Sequence, residues 1–262
     1  MLFRWLKRRR RRRIAAEPMP PEWDEILDAL PHVPVLAGAH RQQLADAVKI
    51  FVAEKQFFGA KDLEVTDAMR VTVAGLASLM TLGMPDFHFD HVSSIILHRS
   101  IIRAPKKVSI GAEAMLEDEI EELGDATLHG PVRLMWPQIE EDVREPWCGR
   151  NLVFHEFAHQ LDMMNGSADG VPILPRDLRK PWQAIMVAEY DKLMRATRRR
   201  RRTLIDPYGA TGPEEFFAVA SETFFDAPLD LRIEHPELYA IFVRYYGQDP
   251  AERVDAWERA GH

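Results

Sequence analysis

Cysteine is all but absent from this chain: Cys148 stands alone among 262 residues. A single cysteine excludes an intramolecular disulfide and a multi-cysteine structural zinc site. It fits a reducing compartment, and the cytoplasm is the expected location. Nothing beside Cys148 marks it as a nucleophile, so it reads as a small residue near a functional helix. Also missing is any run of eighteen apolar residues, which argues against a transmembrane helix. No apolar stretch follows the N-terminal positive charges, which argues against a secretory signal. No internal repeat is present. Basic charge is concentrated at one end. Residues 1–13 hold eight basic side chains (Arg4, Lys7 and Arg8 to Arg13) and no acid, so the rest carries 26 basic against 41 acidic, a net charge of −15. So acidic a body speaks against direct nucleic-acid binding.

The expected organisation is a basic, disordered tail over residues 1–20 and a single domain over 21–262. A solvated arm is the plain reading of the arginine run. The alternative is an electrostatic tether, with Phe3, Trp5 and Leu6 at an anionic membrane surface. Residues 21–85 read as mostly helical and 86–262 as the catalytic part. Leu44, Ala47, Val48, Phe51 and Val52 recur at a helical period within 39–55. A second apolar helix is expected from Asp62 to Met84, stopped by Gly83 and Pro85. Ile- and Val-rich residues 92–104 read as a strand, and 130–136 as a second. The acidic stretch 113–124 reads as a solvated helix face or loop. A helix is expected over 181–195 with Trp182, Met186, Tyr190 and Leu193 inward, followed by a solvated basic loop at 198–202.

What the chain does have is His155-Glu156-Phe157-Ala158-His159. On a helix, positions i and i+4 share a face, so both imidazoles point the same way. Two neutral imidazoles so placed can hold one zinc ion, and Glu156 can act as general base on a metal-bound water. Phe154, Phe157, Ala158 and Leu161 supply the apolar surroundings of a buried helix, which is expected to stop near Asn165-Gly166.

A catalytic zinc needs a third protein ligand and an open position. A metzincin would have Gly at 162 and His at 165, where this chain has Asp162 and Asn165. A thermolysin-like spacing wants a glutamate about twenty residues past His159, yet none occurs between Glu156 and Glu189. Gly212-Pro213 opens a stretch that is apolar nearly all round: Phe216, Phe217, Ala218, Val219, Ala220, Phe224 and Phe225. Such a helix is buried, and buried carboxylates need a cation or donors. Glu215 and Glu222, seven apart, lie on one face. Glu215, near the helix start, is the better ligand by position, with Glu189 the alternative. Glu222 or Asp162 would orient a histidine.

These residues resemble the Mlc titration factor A family, small zinc peptidases of gluzincin type. The resemblance runs through most of the chain after residue 20. It is densest at 130–136, at 155–162 with Asn165-Gly166 and 170–172, and from 206–208 through Pro213 to Pro228. The catalytic domain of anthrax lethal factor is similar in the same places. The resemblance implies zinc ligands at His155, His159 and Glu215, with Glu156 as base. It also implies that Tyr208, seven residues before Glu215, donates a hydroxyl near the metal. Family members act as peptidases, notably on amino-terminal substrates, and some bind a sugar-responsive transcriptional repressor. The arginine-rich tail is a departure from the family.

The expected fold is an α+β zincin, mostly helical, with a small mixed sheet and two helices presenting the site. The expected activity is zinc-dependent peptide hydrolysis, aminopeptidase-like. Two alternatives stand beside it. One is a regulatory protein that sequesters a transcriptional repressor of sugar uptake. The other is a non-catalytic fold stabilised by zinc, which an intact Glu156 disfavours.

Overall fold

A computed structural model of the chain describes residues 2–99 and 130–261. The elements run α1 (Leu2–Ala16), α2 (Pro21–Asp28), α3 (Gly38–Glu54), β1 (Gln56–Gly59), α4 (Asp67–Met80), β2 (Ser94–His98), β3 (Val132–Met135), α5 (Trp136–Arg144), α6 (Leu152–Asp162), α7 (Arg179–Arg198), α8 (Pro213–Asp226), α9 (Pro228–Glu234), α10 (Pro236–Tyr246) and α11 (Pro250–Arg259). The acidic stretch 113–124 lies outside the described residues, as does the end of the strand expected over 92–104. No described helix is long and apolar enough to cross a membrane.

Two helices that are apolar on nearly every face form the interior. In α4 every residue from Val71 to Met80 is buried. Thr66 caps its start by accepting a hydrogen bond from Met69 N, five residues later than the expected beginning. A Cβ on Gly75 would come within 2.7 Å of Leu30 and 2.9 Å of Leu27. The leucines of α2 and the turn after it therefore rest on the backbone of α4. In α8 every residue from Phe216 to Asp226 is buried. Its phenylalanines join an aromatic cluster in which Trp182 stacks on Phe242 at 5.5 Å and Phe224 on Tyr246 at 5.3 Å.

The sheet has the order β1-β2-β3, with Phe57 opposite Ile95 and Leu97 opposite Leu134. The described strands are all parallel, where a mixed sheet was expected. One of them, β1, is a strand hidden in the part read as helical. It reaches β2 through α4, and a helical crossover lets neighbouring strands run the same way. Ile95, Leu97, Val132 and Leu134 face the core. Among the described residues β3 is an edge strand. It leads into α5 and lies beside α6, and α6 runs along α8, with Phe154 against Phe225 at 5.3 Å.

The N-terminal segment differs from the disordered arm expected of it. It forms α1 and packs on α3. The reason lies in carboxylates and carbonyls far along the chain. Arg11 is buried and binds Glu54 at 2.5 Å, and it also reaches Asp90. Lys7 pairs with Asp90 at 3.0 Å and Arg8 with Asp86 at 2.9 Å. Lys49 donates to the carbonyls of Ala15 and Glu17 at 2.5 and 2.6 Å, holding the helix end.

Candidate metal centre

Asn151 starts α6: its side chain accepts from Phe154 N at 3.1 Å, leaving the next residues free to wind. Asp142 of α5 steadies the same turn by accepting from Leu152 N at 2.8 Å. One turn on, His155 and His159 lie side by side with their Nε2 atoms 3.1 Å apart. Opposite them, Pro213 at the first position of α8 fixes the entry of that helix and places Glu215 in its first turn. Glu215 Oε2 stands 3.2 Å from His155 Nε2 and 3.5 Å from His159 Nε2.

These three side chains each offer one ligand atom to a common point. A tetrahedral ion with bonds of about 2.0–2.1 Å sets its ligand atoms roughly 3.3–3.4 Å apart. The observed separations of 3.1, 3.2 and 3.5 Å fit that spacing. Glu215 Oε2 is moreover buried with no aligned hydrogen-bond donor, as expected of an oxygen awaiting a cation. Two imidazole nitrogens and a carboxylate suit a divalent ion.

The charges around the trio argue the same way. Burial disfavours charge on His155, but Glu215 and Glu222 on either side outweigh it and raise the imidazole to about 10. Burial likewise works against ionised Glu215, and the two histidines overcome it, holding its carboxyl far below the ordinary range. Without an ion, a proton on His155 fills the place of positive charge, and a metal cation would replace it. Burial pushes the carboxyl of Glu156 up, against the pull of both histidines. Tyr208 is 53% exposed, with its ring centroid 6.1 Å from that of His155. Burial of its hydroxyl, together with the charge and hydrogen bond of Glu215, pushes the phenol up to about 12.

Glu222 has the role expected of it. Its Oε1 accepts from the Nδ1–H of His155 at 2.6 Å, and its Oε2 accepts from Asn151 N at 2.8 Å. A proton fixed on Nδ1 leaves the Nε2 lone pair facing the trio. Asp162 does something else. Rather than orienting a histidine, its Oδ2 accepts from Gly170 N at 2.8 Å. Gly170 has φ +75, and a Cβ there would stand 2.3 Å from the Pro213 carbonyl oxygen. The loop after α6 is thus pressed onto the start of α8, just before Glu215. Glu189 is remote from the trio: it binds His235 Nδ1 at 2.5 Å and lies 3.6 Å from Lys192. Asp142 escaped sequence reasoning because its partner lies on another element. The Asn151 cap, three residues before Phe154, carried a legible signal.

The family description of glucose-regulated metallo-peptidase M90 matches residues 5–247. Uncharacterized protein slr2042 of Synechocystis is 35% identical over 245 residues, 92% of this chain and 89% of its own. Mlc titration factor A of Edwardsiella ictaluri is 31% identical, covering 88% of this chain and 89% of its own. The Pectobacterium atrosepticum protein of the same name is 29% identical, covering 88% and 87%. The fold, the donor set and these matches agree: the chain belongs to the glucose-regulated metallo-peptidase M90 family.

Proposed function

We propose that the protein is a zinc-dependent peptidase of gluzincin type, aminopeptidase-like, in which His155, His159 and Glu215 hold Zn2+. The observation that carries this reading is the spacing of the three donor atoms, 3.1 to 3.5 Å. When bound, the ion would supply Lewis acidity, lowering the pKa of a water molecule and polarising a peptide carbonyl.

The chain's own residues do the rest. Glu156 takes a proton from the attacking water and passes it to the leaving amine, completing the exchange. Its upward-shifted carboxyl suits it to hold that proton between the two steps. The hydroxyl of Tyr208, pushed up to about 12, stays protonated at neutral pH. It donates to the oxyanion that develops on the peptide carbonyl. Glu222 keeps the proton of His155 on Nδ1. Strand β3, an edge among the described residues, offers its backbone to an extended substrate. A cytoplasmic location belongs to the same reading.

The test is Glu156→Gln. The purified variant is expected to retain zinc and lose peptide hydrolysis. Cleavage at the wild-type rate would overturn the mechanism.

The name of the relatives, Mlc titration factor A, favours a second reading. In it the protein binds and sequesters a transcriptional repressor of sugar uptake, and hydrolysis is secondary. His155→Ala separates the two: relief of repression persists on the second reading and disappears on the first.

A further inference from the structure

Helix α1 has two unlike sides. Lys7, Arg8, Arg11 and Ile14 recur at helical spacing and face the body. The three basic residues there are committed to Asp90, Asp86 and Glu54, and Ile14 is buried. The opposite side carries Trp5, Leu6, Arg9, Arg12 and Arg13, with Arg10 at its border toward the body. Trp5 is 55% and Leu6 47% exposed, and all four arginines are exposed. Among the described residues none of these arginines pairs with a carboxylate. Arg9 instead lies over the Trp5 ring at 5.6 Å, and Arg10 donates to the Ala53 carbonyl at 3.3 Å. Three guanidinium groups, those of Arg9, Arg12 and Arg13, are thus displayed without a carboxylate partner on a chain whose residues beyond 13 carry a net charge of −15.

We propose that this outward face docks the protein onto an anionic phospholipid surface. Charge complementarity selects the sign of the partner. Arginines on an amphipathic helix are drawn to acidic headgroups, each by about a fivefold gain in binding. The apolar pair selects the kind of partner. Trp5 and Leu6 sit level with the arginines at one end of the helix, where a bilayer takes an indole and an isobutyl group into its headgroup–acyl boundary. A nucleic-acid backbone would engage the arginines and leave Leu6 in water. The inward ion pairs make this a rigid, preformed face, so docking does not have to order the helix first. This surface is independent of the metal centre.

Flotation of the full chain with vesicles tests the proposal. The probes are phosphatidylcholine alone and phosphatidylcholine mixed with phosphatidylglycerol. Binding to the anionic vesicles only is expected, released as salt rises. Arg9→Glu with Arg12→Glu and Arg13→Glu should weaken it by roughly a hundredfold. Trp5→Ala with Leu6→Ala should weaken it by about tenfold. All these side chains are exposed, so an unchanged far-ultraviolet spectrum and unchanged peptide hydrolysis are expected of both variants. Three results would overturn the proposal: no vesicle binding, equal binding to neutral vesicles, or full binding by the Trp5/Leu6 variant. Displacement from the vesicles by duplex DNA, with the Trp5/Leu6 variant binding as the wild type does, would assign the face to nucleic acid instead.

Discussion

Glu222 and Tyr208 both lie close to His155, and they separate two contributions to the proposed centre. Glu222 accepts from His155 Nδ1 at 2.6 Å and from Asn151 N at 2.8 Å, so it ties the ligand histidine to the first turn of its own helix. Glu222→Ala leaves both buried donors without an acceptor. Zinc affinity is expected to fall about 10–100-fold, measured by competition with a chelator; unchanged affinity would exclude this role. Tyr208 reaches the site from a short turn held by Asp206, whose side chain accepts from Tyr208 N at 2.8 Å. Tyr208→Phe removes only the hydroxyl. The expected result is unchanged zinc content, a kcat lowered by about 10²–10³-fold and a KM close to that of the wild type. A large rise in KM with kcat intact would place the tyrosine in substrate binding. At this scale helical spacing put the two histidines on one face and Glu215 and Glu222 on another, while the choice of Glu215 over Glu189 rested on its place at the helix start and on the family resemblance. The partner of Asp162 was not legible: it is a backbone N–H in a loop, and nothing in the spacing of side chains marks it.

At the scale of elements, α1 is the clearest departure from sequence expectation. Six consecutive arginines read as a solvated run because each one taken alone prefers water. Two of the six have carboxylate partners among the described residues: Arg8 pairs with Asp86, and Arg11 binds Glu54 and Asp90, 43 and 79 positions away. Strand β1 was illegible for another reason: Gln56–Gly59 follows directly on a helix and has no β-branched residue, whereas β3, equally short, is set off by Gly130 and Pro131. The helices α3, α6, α7 and α8 were legible because each spans enough turns for its apolar stripe to repeat. The docking of α1 has a consequence in acid. Burial opposes ionisation of Glu54 and Asp90, but the hydrogen bonds and charge of Arg11 prevail and hold both carboxyls below their ordinary values of 4.5 and 3.8. The unfolded chain therefore takes up protons first as pH falls. The stabilisation is complete above about pH 5–6 and declines as pH drops through the ordinary values toward the folded ones. Hydrogen exchange should show α1 losing protection over that window in the wild type. Arg11→Met should expose α1 at neutral pH and flatten the dependence. A wild-type helix equally protected at pH 7 and pH 3 would contradict the pairing.

Across the whole molecule, the site joins two helices that enter the chain about sixty residues apart, His155 on one and Glu215 on the other. Apolar packing holds both helices. α6 and α8 meet through Phe154 and Phe225, and α8 is anchored in the aromatic cluster of Trp182, Phe242 and Tyr246. On the proposed reading the donor set is preformed by this packing and takes up an ion without folding around it. The parallel sheet and α4 close the other side of α6, and α1 adds a basic face to an otherwise acidic body. The proposed centre is tested most directly by zinc-edge anomalous diffraction from crystals of the zinc-loaded protein. The expected result is one peak at about 2.0–2.2 Å from His155 Nε2, His159 Nε2 and a Glu215 oxygen, with Glu156 outside bonding distance. A peak bounded by other side chains, or no peak with these three in place, would contradict it.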